Sequence, residues 1–260
     1  MKNIAIYCVT YNSYDALYNF LVSLDNLTKG DFSLRVFIAD NSDKNTQQIS
    51  YTPYNYELKT FTLGKNLGYF GAINYLMQRE SPLNYDFSII SNVDLTLDKD
   101  IFVKLSKKDE DVAWIAPQIY SNVEQRDRNP KIINRYPKKK LCILKVLFHY
   151  PVLYNLYTRS IYKRKKFLKY NKRKIYAGHG SFIILTKNYF KICGIIDYPV
   201  FLFCEEIYLG EQCYKNGMIV MYEPSLVVYD TEHVSTGQFK SKQYCKYNYE
   251  AIKYILKTFY

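Results

Sequence analysis

Histidine is scarce, with three in 260 residues, and none of the six cysteines (Cys8, Cys142, Cys193, Cys204, Cys213 and Cys245) forms a C-x-x-C pair. These two facts argue against a structural zinc site and a disulfide framework, and point to reduced thiols in a cytosolic compartment. No apolar run approaches the roughly 18 residues that a membrane-crossing helix needs. The run Ile4 to Val9 is short, breaks at Thr10-Tyr11-Asn12 and lacks a small-residue cleavage pattern, so no signal peptide is expected. Glycine is sparse, at 10 residues. Neither G-x-x-x-x-G-K-[ST] nor G-x-G-x-x-G is present, which excludes the P-loop and the dinucleotide fingerprint. There is no internal repeat and no disordered linker.

What remains is a chain able to bury one large core or two small ones, with 48% hydrophobic residues. Tyrosine, at 29 residues, reflects compositional bias and carries no functional reading. The net charge of +12 is unevenly spread. From Arg126 to Lys174 there are 17 Lys and Arg against one acid, Asp127, which leaves the rest of the chain mildly acidic.

Lys2 to Val9 reads as a buried strand, ended by Thr10-Tyr11-Asn12-Ser13, where Ser13 or Asn12 can cap a helix. Leu17, Phe20, Leu21, Leu24 and Leu27 follow at helical spacing. Leu34 to Ala39 is a second strand, closed by Asp40-Asn41-Ser42, and the three pieces make a βαβ unit with parallel pairing. Phe61 to Leu63 gives a third strand. Gly64-Lys65-Asn66-Leu67-Gly68 then turns into a helix from Tyr69 to Gln78, whose start could seat a phosphate. Phe87 to Ile90 is a central strand with the polar tip Ser91-Asn92-Val93-Asp94, and this alternation predicts a doubly wound α/β half.

Val112 to Ala116 is a further strand, and Phe182 to Leu185 is another after Gly178-His179-Gly180-Ser181. The apolar run Val200 to Phe203 reads as a strand end meeting Cys204-Glu205-Glu206, with a helix to Gly217 behind it. Met218 to Tyr222 and Leu226 to Tyr229 read as two strands, the second followed by Glu232-His233. Tyr247, Ala251, Tyr254 and Ile255 mark a C-terminal helix.

In open α/β sheets ligands bind outside the carboxyl ends of the strands. Asn92-Val93-Asp94, Glu205-Glu206 and Glu232-His233, with Asp40, therefore form a candidate acidic cleft. Asp94 suits a divalent cation held against a phosphate, because hard cations take oxygen ligands. Each piece also has a plain local explanation. Asn92 and Asp94 favour turns, and Glu205 and Glu206 favour a helix start. Gly178, Gly180 and Gly217 serve turns and caps, and Asn66 and Gly68 serve a helix entry. His179 has no motif partner and reads as structural.

The order of these pieces resembles the family-2 glycosyltransferases of the GT-A fold, in the branch with rhamnosyltransferase-like and other surface-polysaccharide enzymes. The resemblance rests on V-T-Y-N at Val9 to Asn12, D-N-S at Asp40 to Ser42, and Asn66, Gly68, Tyr69 and Asn74. It continues through the N-P-D-like Asn92-Val93-Asp94, Gly178 to Phe182, Ile196-Asp197 with Phe201 to Glu206, and Pro224, Val228 and His233. Val93 replaces the usual Pro, and Glu206 stands where the family more often has Asp. The longer side chain leaves Glu205 as a rival for the same role.

The resemblance implies a GT-A α/β fold with a mostly parallel sheet flanked by helices. It implies one domain: a nucleotide-binding half over 1–118, a basic helical insert over 119–176, an acceptor and catalytic half over 177–238, and a helix over 239–260. It implies an inverting transfer from a UDP- or dTDP-sugar to a glycan or lipid-linked acceptor in bacterial surface polysaccharide synthesis. Thr10, Asn12 and Asp40 would hold base and ribose, with Asn66, Gly68 and Asn92 on the donor side. Asp94 and His233 would ligate Mg²⁺ or Mn²⁺, Glu206 would be the general base, and Gly178, Gly180 and Ser181 would line the sugar and acceptor side. Two alternatives stand beside it: a non-catalytic membrane-surface or anion-binding module, and a sugar nucleotidyltransferase. The second lacks its glycine-rich basic loop, since Thr10-Tyr11-Asn12-Ser13 has no Gly or Lys.

In the insert, Leu141, Leu144, Leu147, Phe148, Val152 and Leu156 interleave with Lys138 to Lys140, Lys145 and Lys163 to Lys166, and Pro151 predicts a break into two helices. Basic amphipathic segments lie on anionic membranes, so the expected location is cytoplasmic and peripheral on the inner face of the cell membrane. A solvated helical hairpin is the competing reading. Nucleic acid is not expected as a partner, because no nucleic-acid motif accompanies the charge.

Overall fold

The computed structural model describes residues 1–43, 47–108, 111–160, 169–230 and 241–260. The first half runs β1 (Lys2–Thr10), α1 (Tyr14–Asp25), β2 (Phe32–Asp40), β3 (Glu57–Thr62), α2 (Tyr69–Arg79), β4 (Phe87–Ser91), β5 (Leu95–Leu97) and α3 (Ile101–Leu105). The second half runs β6 (Trp114–Ser121), β7 (Arg126–Asp127), α4 (Lys138–His149), α5 (Pro151–Ser160), β8 (Arg173–Ile175), β9 (Phe182–Thr186), α6 (Lys187–Cys193), α7 (Glu205–Lys215), β10 (Val220–Asp230) and α8 (Ser241–Phe259).

One sheet carries the fold, in the order β3-β2-β1-β4-β9-β6-β10-β5, with β7 on β6 and β8 on β10. The β3-β2-β1-β4 side is parallel throughout, as short alternating strands and helices require. β9 runs antiparallel to both β4 and β6, so the sheet as a whole is mixed. Period-two alternation divides the strand residues between its faces. Ile4, Ile6 and Cys8 of β1 join Val36, Ile38, Phe87 and Ile89 on the face covered by α1 and α3. Ala5 and Tyr7 join Phe37, Ile90, Ile183 and Leu185 on the face covered by α2, α7, α4 and α8. Leu17, Phe20, Leu21 and Leu24 of α1 are all buried, each contributing about 1.5–3 kcal/mol of apolar burial.

Several elements depart from the sequence reading, each for a local reason. Ser13 occupies the cap position of α1, but its hydroxyl donates to Tyr11 O instead of accepting from the helix. Leu27 lies beyond the end of α1. The two strands expected over 218–229 are one, β10, with a register shift between Glu223 and Val227. Pro224 sits in that irregularity, where a strand tolerates the missing N–H. The Val200–Phe203 run is not a strand. Phe203 (φ 74°) and Cys204 (φ 62°) are both left-handed, which ends any extended run, so Glu205 and Glu206 open α7 from a loop and not from a strand end. Pro151 does divide the insert, as the first residue of α5.

Candidate active site

β1 lies between β2 and β4, and the α1 and α2 layers lie on opposite faces, so the sheet changes winding direction beside β1. A crevice opens at such a point outside the carboxyl ends of the strands. Thr10, Asp40 and Ser91-Asn92 are all at those ends.

On the first side of the crevice, Asp40 anchors the loop. Its buried carboxylate accepts from the Tyr14 hydroxyl (2.8 Å) and from Ser42 N–H (3.1 Å). Asn12, left-handed at φ 51° and exposed, donates its N–H to Ser42 Oγ (3.0 Å). Thr10 is fully buried, and its hydroxyl has no hydrogen-bond partner among the described residues. Asn41, passed over in the site reading, is the cross-link. Its Nδ2 donates to Asn66 Oδ1 (2.8 Å) and Gly68 O (3.2 Å), and its Oδ1 accepts from Leu67 N–H (2.7 Å). Asn66 Oδ1 also accepts from Gly68 N–H (2.9 Å). Asn66 and Gly68 thus belong to one tightly bonded turn between β3 and α2, tied by Asn41 to the end of β2.

Gly68 has no substitute in this arrangement. It combines φ 76° with ψ −179°, and a β-carbon there would lie 2.9 Å from the Phe201 carbonyl carbon and overlap its oxygen. That carbonyl accepts from Tyr69 N–H (3.3 Å). The start of α2 and the Phe201–Cys204 loop are therefore in backbone contact.

The opposite wall is Gly178 to Ser181, the lead-in to β9. Asn92 N–H donates to Ser181 O (2.9 Å), which fixes the tip after β4 to this wall. Gly178 packs on Trp114 and Ala116, with a β-carbon only 2.7 Å from the Ala116 methyl. Gly180 donates its N–H to Glu206 Oε1 (3.3 Å), and its carbonyl accepts from the Tyr69 hydroxyl (3.2 Å).

Tyr69 ties the start of α2 to this wall. Burial raises its phenol well above the usual range, and Cys8 and the carboxylates of Glu205, Asp94 and Glu206 add to the shift in that order. Three of the carboxylates expected from sequence thus act electrostatically on one half-buried ring. Their environments differ. Glu205 is buried, and its Oε1 accepts from Phe203 N–H (2.8 Å), closing the left-handed loop. Burial first, and the Glu206 charge second, push its carboxyl up to about 8. Glu206 is half-buried, beside Gly180.

His179 lies in the same wall, between Gly178 and Gly180, and is held by hydrogen bonds to its neighbours. Its backbone N–H donates to Asn129 Oδ1 (2.8 Å). Its Nδ1 accepts from Ser181 N–H (3.2 Å) and lies 2.9 Å from Ser181 Oγ. An acceptor Nδ1 requires the proton on Nε2. Burial, then Lys131, Arg128 and Arg126, hold its pKa well below the ordinary value.

Asp94 is half-buried and immediately precedes β5, whose Leu95 pairs antiparallel with Asp230 of β10. This register sets Asp230, the last residue of β10, across from Leu95, one position from Asp94. Glu232 and His233 lie outside the described residues. Among the described residues no three His, Cys, Asp or Glu side chains form a metal cage. One half-buried carboxylate at a strand tip still fits Mg²⁺ or Mn²⁺ in the way such ions meet phosphates, with one or two carboxylates and the remaining positions filled by substrate oxygens and water.

The fold is of the GT-A type. The chain is similar over 91% of its length to S. aureus TarS 1–349 in complex with UDP-GlcNAc, with a TM-score of 0.56 and 14% identity, and spans 60% of that chain. Over 92% of its length it is similar to GalNAc-T7 with UDP, GalNAc and Mn²⁺, with a TM-score of 0.60 and 12% identity, and spans 45% of that chain. No protein-family model and no curated protein matches the sequence.

Proposed function

We propose that the chain is an inverting, metal-dependent glycosyltransferase that takes a UDP- or dTDP-linked sugar to a glycan or lipid-linked acceptor of bacterial surface polysaccharide. The observation that carries this reading is the chain of contacts from Tyr69 through Gly180 to Glu206, with Asn92 of the Asp94 tip bonded to Ser181 of the same wall, on a GT-A type sheet.

The chemistry assigns distinct roles to the three carboxylates. Inversion requires the acceptor hydroxyl to lose its proton on one face of the sugar while the nucleoside diphosphate leaves from the other. Glu206, half-exposed and with one oxygen held by Gly180 N–H, is suited to take that proton. Glu205 is not: a buried carboxyl pushed up to about 8 is largely protonated at neutral pH, and its oxygen is committed to Phe203 N–H. Its work is to shape the loop that presents Glu206. Asp94, with His233, would hold a divalent cation, which when bound neutralises charge on the departing diphosphate. Thr10, Asn12 and Asp40 would meet the nucleoside, with Asn66, Gly68 and Asn92 on the donor side. Gly178, Gly180 and Ser181 would meet sugar and acceptor.

The test is release of free nucleoside diphosphate from a panel of nucleotide sugars with Mg²⁺ or Mn²⁺. Glu206→Gln should cut turnover by about two to four orders of magnitude while leaving donor binding intact, and Glu205→Gln should cost less turnover and more stability. Activity that survives a chelator would remove the metal from the scheme. Near-normal turnover in Glu206→Gln with a dead Glu205→Gln would reverse the two roles.

A further inference from the structure

The hairpin of α4 and α5 uses one side for packing and leaves the other bare. Leu141 and Phe148 are buried against α8, with the Phe148 and Tyr154 rings on Tyr244 at 6.0 and 5.7 Å. Ile143, Val146 and Tyr150 fall three to four residues apart on a single helical face, and each is at least half exposed. Val152, Leu153 and Leu156 form a second exposed apolar face, on α5, with Val152 71% exposed. Six of the sixteen large exposed apolar side chains among the described residues thus lie within fourteen consecutive positions. Scattered single exposures are ordinary, but six within one short pair of helices mark a contact surface.

The charge around these faces identifies their occupant. Residues 138–160 contain Lys138, Lys139, Lys140, Lys145 and Arg159 and no Asp or Glu. Lys139 lies one turn before Ile143 on the same face, Lys145 adjoins Val146, and Arg159 follows Leu156 by three residues. A protein partner or a second copy of this chain would meet five like charges with no acid to fix its register. A bilayer of anionic lipid suits both features, because the apolar residues enter the headgroup boundary and long cationic side chains stay at the phosphate level.

We propose that the outer face of α4–α5 docks this protein on an anionic lipid surface, with Ile143, Val146, Val152, Leu153 and Leu156 inserted and Lys139, Lys145 and Arg159 on the headgroups. Docking is read without turnover, so it stands or falls independently of the enzymatic proposal. The test is flotation of the full chain with phosphatidylcholine vesicles, with and without phosphatidylglycerol, at low and high salt. Binding is expected only with phosphatidylglycerol, and should weaken as salt rises.

Lys139→Glu/Lys145→Glu should lower partitioning more than twentyfold, at roughly fivefold for each cation lost. Val152→Asp/Leu156→Asp should lower it comparably with an unchanged melting temperature, since both sites are exposed. Lys29→Glu/Lys99→Glu, on the opposite face of the sheet, should change it by no more than a screening effect. Equal binding to neutral vesicles, or binding indifferent to both hairpin variants, overturns the proposal. So does an oligomer of the wild-type chain in solution that Val152→Asp/Leu156→Asp dissociates, which would assign these faces to a second copy.

Discussion

Replacing Gly68 by alanine tests whether the loop before α7 positions Glu206. Two costs arise at this residue. The first is backbone: φ 76° with ψ −179° is a region essentially restricted to glycine, at about 1–3 kcal/mol for any other residue. The second is steric, because the new methyl overlaps the Phe201 carbonyl oxygen and lies 3.0 Å from its Cα. Neither neighbour is a flexible side-chain tip, so the Phe201–Cys204 loop must retreat by on the order of 1 Å, carrying the start of α7 with it. A displacement of that size at a reacting group costs about a hundredfold in rate. Gly64→Ala is the matched control. It is also left-handed, at φ 67°, but has nothing within 4 Å of the added carbon, so it isolates the conformational cost of about 1 kcal/mol. Thermal melts should show losses of about 2–4 °C for Gly64→Ala and two to three times that for Gly68→Ala. In diphosphate-release assays, only Gly68→Ala should lose turnover in excess of its loss of folded protein. Equal turnover in the two variants, both measured well below their melting temperatures, would refute the positioning role of the loop.

Two further outcomes follow from buried charge. Glu211 is fully buried and accepts from Arg135 Nε (2.8 Å) and Nη2 (3.0 Å) and from the hydroxyls of Tyr176 and Tyr260. Arg135→Met strands that carboxylate and should cost about 3 kcal/mol in denaturant unfolding, whereas Arg135→Met/Glu211→Met should recover most of the loss. Glu205 binds its proton more tightly in the folded chain than in the unfolded one, so its contribution to stability is fully present below about 4.5 and is lost as pH rises toward about 8. Melting temperatures from pH 5 to 9 should fall less steeply in Glu205→Gln than in the parent, and parallel curves would exclude Glu205 as the source of the slope.

The linear pattern sufficed for the buried strands β1, β2, β4 and β9, the parallel β1–α1–β2 unit and the break at Pro151 between two helices, because these depend on local periodicity and on where proline and turn residues fall. It also sufficed for the polar tips, since residues that end buried strands are polar by necessity and Thr10, Asp40, Asn92 and Asp94 stand at or just beyond such ends. Tertiary structure decided the rest. Phe203 and Cys204 are left-handed because Glu205, Tyr198 and the start of α2 hold them so, and no apolar run predicts that. Asn41 and Tyr69 matter through partners 25 and 111 residues away, and His179 joins the cleft through Asn129, 50 residues distant. The same holds for the insert: its alternating Leu and Lys allowed a hairpin packed on the core or one lying on a surface, and only the packing of Leu141 and Phe148 on α8 determined which apolar side chains were left facing outward. Composition and spacing act over a few residues, whereas the difference between Glu205 and Glu206, adjacent in sequence and unlike in burial and in hydrogen-bond partner, is created only by the folded chain.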